Sequence, residues 1–374
     1  MDGTAEIIVF SPYFNEIGGI ETCTYNLCKQ LGKKYDVLMV TKPNANKGQI
    51  KRIKKICRVS TEHREKYECK YMILNSIYAS DRLECNVKEK TFGMIHADYK
   101  YLKEKGKLDY KVNHNIDEYI SVSKQVQKAF KETYGIDSIV IYNILDDFKD
   151  IKKPKKSFHE NYQILKLVSA TRLSAEKGYN RMIKLAEELN KRSIPFEWKL
   201  FCQMFNNPPK QIKGLLYKKT KLDISQELAE ADYGVQLSDT EGYSYFIHEC
   251  QQLGTPTITT SFPSIFETPK NGHILDFDLF ENGTKEDWDK VIKDILTIPK
   301  VEYKEMCTIK DWEKIMPKLE PRKGNFEYQE PIINVTCIFP FDDIEENIHR
   351  NVNDKWYCLE SRATELKEKK LIKF

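Results

Sequence analysis

Along most of the 374-residue chain, short apolar runs alternate with longer stretches whose apolar residues return every three or four positions. The runs at 5–12 (AEIIVFSP), 36–42 (DVLMVTK), 70–77 (KYMILNSI) and 92–99 (FGMIHADY) predict buried strands. Further runs at 164–171, 197–204 (EWKLFCQM), 233–237 and 255–260 predict more of them. Segment 17–34 reads as loop and helix, and 118–145 as strand, helix, strand with Ser123 placed to cap its helix. Helices are also expected after Thr171, near 224–231, after Gly242, and at about 284–297 and 301–318. Strand, helix, strand repeated in this way is the parallel βαβ unit of a doubly wound α/β sheet. After Asn143 the chain turns polar through DDFKDIKKPKKSFHEN, the composition of a linker with a hinge in it. From Ile332 onwards it reads as two or three short strands and a terminal helix, a small α+β module. The expected domains are therefore 1–150, 151–324 and an appendage at 325–374.

The length fits two domains and an addition, since single cores stop growing below this size. Hydrophobic residues at 40% and charged residues at 31% describe an ordinary soluble globular chain. Sixty basic against 56 acidic residues leave a net charge of +4, too little for a global field that would draw in nucleic acid. No apolar run approaches a membrane span, and MDGTAEIIVF lacks the basic region and cleavage pattern of a signal peptide, so a cytoplasmic location is expected. The segment 47–58 (KGQIKRIKKICR) sets basic residues between Ile50, Ile53 and Ile56. It reads either as a solvated helix packing three isoleucines on the core or as a surface for peripheral contact with a membrane or an acidic acceptor. Ten cysteines occur without any C-x-x-C spacing, which favours free, buried thiols over a disulfide framework.

The chemistry concentrates in residues 231–260 (ADYGVQLSDTEGYSYFIHECQQLGTPTITT). A strand ends there in a polar turn and a helix follows, so the first free amides of that helix face the crevice at the carboxyl edge of the sheet, an anion site. Glu241 and Glu249 flank it, and eight residues at helical rise span about 12 Å, roughly the reach of a nucleotide sugar across its diphosphate. An acidic residue at a helix start is also favoured by the helix dipole alone. Gly18 and Gly19 form a turn where backbone can approach a phosphate, or simply a turn. Arg172 and Lys177, in a loop before a helix, are cations able to neutralise a departing diphosphate. His96 closes a strand at the carboxyl edge, where sites gather but where structural histidines also sit; Asp98 and Lys100 stand near it. Asp276-Phe277-Asp278 has the D-x-D form of a metal site, but its place at a strand end reads as structural, and no other metal-ligand spacing is present.

Glu241-x7-Glu249 with its E-G-Y-S turn and flanking strands, Arg172-x4-Lys177-Gly178, and the G-G-I-E-T loop at Gly18 together resemble the retaining GT-B glycosyltransferases of family four, the group that includes the glycogen and sucrose synthases. The resemblance implies two Rossmann-like domains facing a cleft and transfer of a hexose or N-acetylhexosamine from a nucleotide sugar, UDP-glucose or UDP-GlcNAc above all. No metal or other cofactor is implied. It assigns Glu249 to the ribose hydroxyls, Glu241 and His96 to the donor sugar, and Gly242, Tyr243, Ser244, Gly18 and Gly19 to the diphosphate. Arg172 and Lys177 would stabilise the leaving group, and the acceptor would be a hydroxyl of a glycan, a cell-wall polymer or a protein. Tyr243, Ser244, Tyr245 and His248 depart from the usual residues of that turn, which bears on the choice of sugar. The tail loosely resembles β-rich modules of phage structural proteins through R-N-V-x-D and R-A-x-E-L-x-x-K-x-L-I. A different class of function also fits, a non-catalytic scaffold that keeps the nucleotide-sugar fold and docks through the C-terminal module.

Overall fold

The computed structural model describes residues 3–374 apart from 13, 62–66, 78–82, 108–109, 112–114, 149–150, 152–163, 204–208, 325, 329, 331 and 345–347. Most of the linker expected after Asn143 lies outside the described residues. The chain divides into two compact units, Met1–Asn325 and Phe326–Phe374.

The first unit contains two parallel sheets. In the N-terminal lobe, β1 (Thr4–Phe10), α1 (Gly19–Gly32), β2 (Val37–Val40), α2 (Lys47–Lys54), β3 (Arg58–Ser60), β4 (Tyr67–Leu74), β5 (Cys85–Ile95), α3 (Tyr99–Glu104), β6 (Glu118–Ser121), α4 (Lys124–Tyr134) and β7 (Ile139–Val140) follow one another. Their seven-stranded sheet runs β3-β2-β1-β4-β5-β6-β7. The interior strand β1 is a continuous apolar run because it is covered on both faces, with Ile7, Ile8, Val9 and Phe10 fully buried. Strand β5 begins well before the expected run at 92–99. Its first half, CNVKEK, alternates intermediate and exposed positions, and only its second half is buried.

The C-terminal lobe comprises β8 (Leu165–Ala170), α5 (Tyr179–Lys191), β9 (Phe196–Cys202), β10 (Leu215–Lys219), α6 (Ser225–Glu230), β11 (Tyr233–Gln236), α7 (Tyr245–Gln252), β12 (Thr257–Thr260), β13 (Gly272–Leu275), α8 (Phe277–Asn282) and α9 (Lys285–Ile295). Its six strands run β10-β9-β8-β11-β12-β13. Both sheets thus reverse direction beside their first strand, between β1 and β4 and between β8 and β11, the switch points where open α/β sheets hold ligands. Asp276 of the D-x-D accepts from the Asp278 amide and caps α8. Helix α10 (Ile309–Ile315) is shorter than the expected 301–318. A Thr308–Asp311 capping box starts it, and Pro317 forces Met316 out of the helical region at its end. Cys307, Trp312 and Met316 are buried in the N-terminal core, so the chain returns to the lobe it started from.

The second unit has a core of Val335, Cys337, Trp356, Cys358, Ala363, Leu366 and Ile372. β14 (Ile332–Cys337), β15 (Phe341–Asp343), β16 (Ile348–Arg350), β17 (Lys355–Leu359), α11 (Glu360–Glu368) and β18 (Ile372–Lys373) build it. Strand β14 lies between β17 and β18, antiparallel to both. The buried Asp343 is neutralised by Arg362 at 3.0 Å and Arg350 at 3.6 Å.

Candidate active site

Each lobe brings its switch-point loops into the space between the sheets. From the N-terminal lobe come the start of α1, Asn75 after β4 and His96 after β5. Gly18 is the N-cap of α1 in extended backbone, and the helix begins at Gly19. Asn75 is fully buried; its Nδ2 donates to the Ile20 carbonyl at 2.9 Å and to Thr24, which fixes the orientation of the amide. Its Oδ1 meets His96 Nε2 at 2.9 Å. A carboxamide oxygen only accepts, so Nε2 carries the proton. Burial lowers the His96 pKa to about 4, leaving a neutral ring with a lone pair on Nδ1.

From the C-terminal lobe come the loops after β8 and β11. Gly178, which closes the R-x4-K-G element, sits at φ +73, and a Cβ there would lie 1.8 Å from the Leu237 carbonyl. Only glycine fits, and its fit sets Lys177 beside the β11 turn. Lys177 Nζ then pairs with Glu241 Oε1 at 2.8 Å. Gln236 Nε2 and Ser238 Oγ donate to the same oxygen, each at 2.7 Å. Two residues assigned separate tasks from sequence are therefore partners in this structure. Arg172 is exposed, and its side chain has no hydrogen bond or ion pair among the described residues. Its charge opposes the effect of burial on Glu21, whose pKa is raised mainly by desolvation. Arg172 is therefore near enough for its charge to be felt in the first turn of α1 across the lobes.

The turn itself touches the opposite lobe. A Cβ on Gly242 would stand 2.0 Å from the His96 carbonyl oxygen, so the absence of a side chain lets the β11 turn and the end of β5 meet. Among the described residues the amides of Gly242, Tyr243 and Ser244 donate to no acceptor. The Ser244 hydroxyl is committed, accepting from the Ile247 amide as N-cap of α7 and donating to Gln236. The Tyr243 ring stacks on His248 with centroids 4.0 Å apart and planes at 14°. Tyr245 is buried in the N-terminal core. These aromatic side chains join the lobes, so only the backbone of the turn remains for an anion. A cleft of about 290 Å³ including its mouth opens beside Gly242, between Ser123, Tyr142, Tyr243 and Glu267. Arg172, Lys177, His96 and Glu249 are not in its walls.

Glu249 lies apart from this group. Helix α7 starts only at Tyr245, so the eight-residue helical span expected between the two glutamates is not formed; Glu249 lies in the second turn of a shorter helix. Its side chain is partly exposed but deeply set. Burial pushes its pKa up to about 7, Asp223 and Asp146 push the same way, and Arg52 of α2 opposes them. Its carboxylate has no hydrogen bond or ion pair among the described residues.

Further contacts hold the lobes together. Glu267 accepts from the Lys124 and Gln125 amides at 2.9 and 2.6 Å, capping α4 from the other lobe, and takes the Tyr142 hydroxyl at 2.9 Å. Tyr101 donates to Asp239 at 2.9 Å, Lys107 pairs with Glu176, and Arg52 Nη1 reaches the Leu222 carbonyl at 3.1 Å. Asn75 and Arg52 were not singled out as site residues from sequence. Asn75 had a signal, a polar residue directly after an apolar strand beside the switch point. Arg52 had no signal of its own, because it lies within a basic run that reads as a whole, either as a solvated helix or as a surface for a membrane or an acidic acceptor.

No family model matches the chain, and no curated protein sequence matches it. Solved structures do. The Anabaena protein Alr3699/HepE, solved with UDP and glucose, shares 14% identity, with 84% of this chain and 98% of that chain covered at a TM-score of 0.55. A glycosyltransferase from Rickettsia africae ESF-5 shares 15%, with 85% and 99% covered at 0.53. AviGT4, a glycosyltransferase involved in avilamycin A biosynthesis, shares 11%, with 84% and 96% covered at 0.50. At such identities the likeness is one of fold. Among the described residues no three His, Cys, Asp or Glu gather as a metal site, and no helix is long and apolar enough to cross a membrane. With two Rossmann-like parallel sheets whose switch points face each other, and with these neighbours, the chain has the GT-B fold.

Proposed function

We propose that this protein is a retaining glycosyltransferase that moves a hexose or N-acetylhexosamine from a UDP-sugar to an acceptor hydroxyl. The observation that carries the reading is that, among the described residues, the deeply set Glu249 carboxylate has no partner and the three turn amides just before its helix have no acceptor. A ribose diol offers two donors to the first, and a diphosphate offers acceptors to the second. HepE, bound to UDP and glucose in the same fold, agrees with a UDP-sugar as the ligand.

In this mechanism the acceptor oxygen bonds to the anomeric carbon on the face the diphosphate leaves. The carbon–oxygen bond to phosphate breaks, and the acceptor's proton passes to the departing phosphate oxygen. Charge builds on the diphosphate, where Lys177, Arg172 and the amides of Gly242, Tyr243 and Ser244 meet it in a space shielded by the opposite lobe. Lys177 must share itself between Glu241 and the phosphate. Glu241, held by Gln236 and Ser238, keeps its place and orients the sugar. The neutral His96 offers its Nδ1 lone pair to a sugar hydroxyl.

A panel of nucleotide sugars, read by released nucleotide in the presence of candidate glycan, polymer and protein acceptors, tests the reaction directly. Arg172→Ala and Lys177→Ala should each lower turnover by roughly a hundredfold or more. Full activity in both variants would remove them from the mechanism.

A further inference from the structure

Arg52 sits on α2 in the N-terminal lobe, yet most of what it touches or faces belongs to the nucleotide side of the cleft. Its guanidinium lies over the Tyr25 ring, with the carbon 3.4 Å from the centroid. Nη1 donates to the carbonyl of Leu222, in the loop that follows β10 at the carboxyl edge of the other lobe. Its Nε is buried without an acceptor. Asp146, Asp223 and Glu249 all act on its charge, but no ion pair joins it to any of them among the described residues. The carboxylates beside it are largely engaged elsewhere: Asp146 with Lys29 at 2.6 Å, and Asp223 with the Ser225 amide and hydroxyl. Glu249 alone is unengaged. Among the described residues, an N–H with no acceptor and a carboxylate with no donor therefore lie near each other without satisfying each other.

We propose that Arg52 binds the nucleoside half of the donor, donating to an oxygen of the ribose or base whose ribose hydroxyls Glu249 accepts. The proposal rests on the reading of Glu249 as the ribose-binding residue. The chemistry fits a polar ring carrying both hydroxyls and acceptor oxygens, because such a ligand meets the spare donor and the spare acceptor together. The place fits the nucleoside rather than the diphosphate. Glu249 is the fifth residue of α7, four positions or roughly 6 Å of helical rise beyond Tyr245, so Arg52, whose charge acts on it, stands farther along α7 than the turn amides. The Tyr25 ring beneath the guanidinium fixes its plane. Arg52 also bonds to the opposite lobe, so it completes the nucleoside site only when the two lobes are together.

Calorimetric titration of uridine and of UDP into the full chain, comparing Arg52→Gln, Arg52→Lys and Glu249→Gln with the parent, tests this. Arg52→Gln should weaken both ligands by the same factor, about tenfold. Arg52→Lys should restore less than half of that loss, because an ammonium lacks the planar fork. Loss confined to UDP, or unchanged affinity for both with Glu249→Gln impaired, would overturn the role of Arg52. Unchanged affinity in Glu249→Gln would instead remove the nucleotide reading on which it rests. A second readout tests whether Arg52 acts on the ribose-binding carboxylate. Glu249 is faced by Asp223 before α6, Asp146 after β7 and Arg52 on α2, and Arg52 is the one that favours its ionised form. Uridine affinity in the parent should fall as pH drops through about 7, and in Arg52→Gln that midpoint should move upward. A midpoint that stays in place would show that Arg52 does not act on Glu249 and would overturn the proposal.

Discussion

Glu249 shows how one side chain carries both a cost and a use. Its pKa is raised from 4.5 to about 7, so the folded state holds its proton where the unfolded chain has lost it. Stability therefore falls as pH rises through this window; the penalty is absent below 4.5, is complete above about 7, and is on the order of 3 kcal/mol at most. Glu249→Gln should raise the melting temperature at pH 8 and leave it unchanged at pH 4, as differential scanning calorimetry would show, while UDP affinity drops. Residues of this kind were partly legible in the sequence. Glu241, Glu249, Arg172 and Lys177 stood out by spacing and by their place after strands. The pairing of Lys177 with Glu241 did not, because it depends on Gly178 lying against Leu237, a contact between loops 60 residues apart, roughly, that no local pattern encodes.

Among the elements, the turns matter more than the helices they precede. Gly178→Ala would need a left-handed alanine with its Cβ inside the Leu237 carbonyl, so a loss of more than about 2 kcal/mol is expected in denaturant titration. Gly242→Ala collides with the opposite lobe instead of its own. It should leave the melting temperature within a few degrees while lowering kcat/KM at least tenfold and opening the molecule in small-angle scattering. Glu267→Ala removes the cap that α4 receives from across the cleft and should cost about 1 to 2 kcal/mol. The strands of both sheets were legible where they are buried on two faces, as β1 and β11 are. Strand β10 and the first half of β5 were missed because a polar edge or an exposed half does not produce an apolar run. Helix α7 was foreseen, but it begins later than its spacing suggested, because Ser244 rather than the Glu241 turn supplies its cap.

For the molecule as a whole, the compact unit at Phe326–Phe374 has a core of its own. A chain ended at residue 325 should keep its helical circular dichroism per residue and its UDP affinity; a loss of binding would tie the module to the site. The doubly wound architecture followed from the alternation of strands and helices. The way the lobes meet did not, since it depends on single contacts such as Gly242 with His96 and Glu267 with α4. Backbone runs between the lobes twice, first after β7, where Phe148 and Ile151 pack on the C-terminal core, and again after α9, on the way to Trp312 in the N-terminal core. A body suspended at two points swings about the line through them, and sliding or twisting off that axis is resisted. Were the lobes to part, each swing would return the same atoms to the same register, and the search that two loosely tethered halves must make would be reduced to one angle.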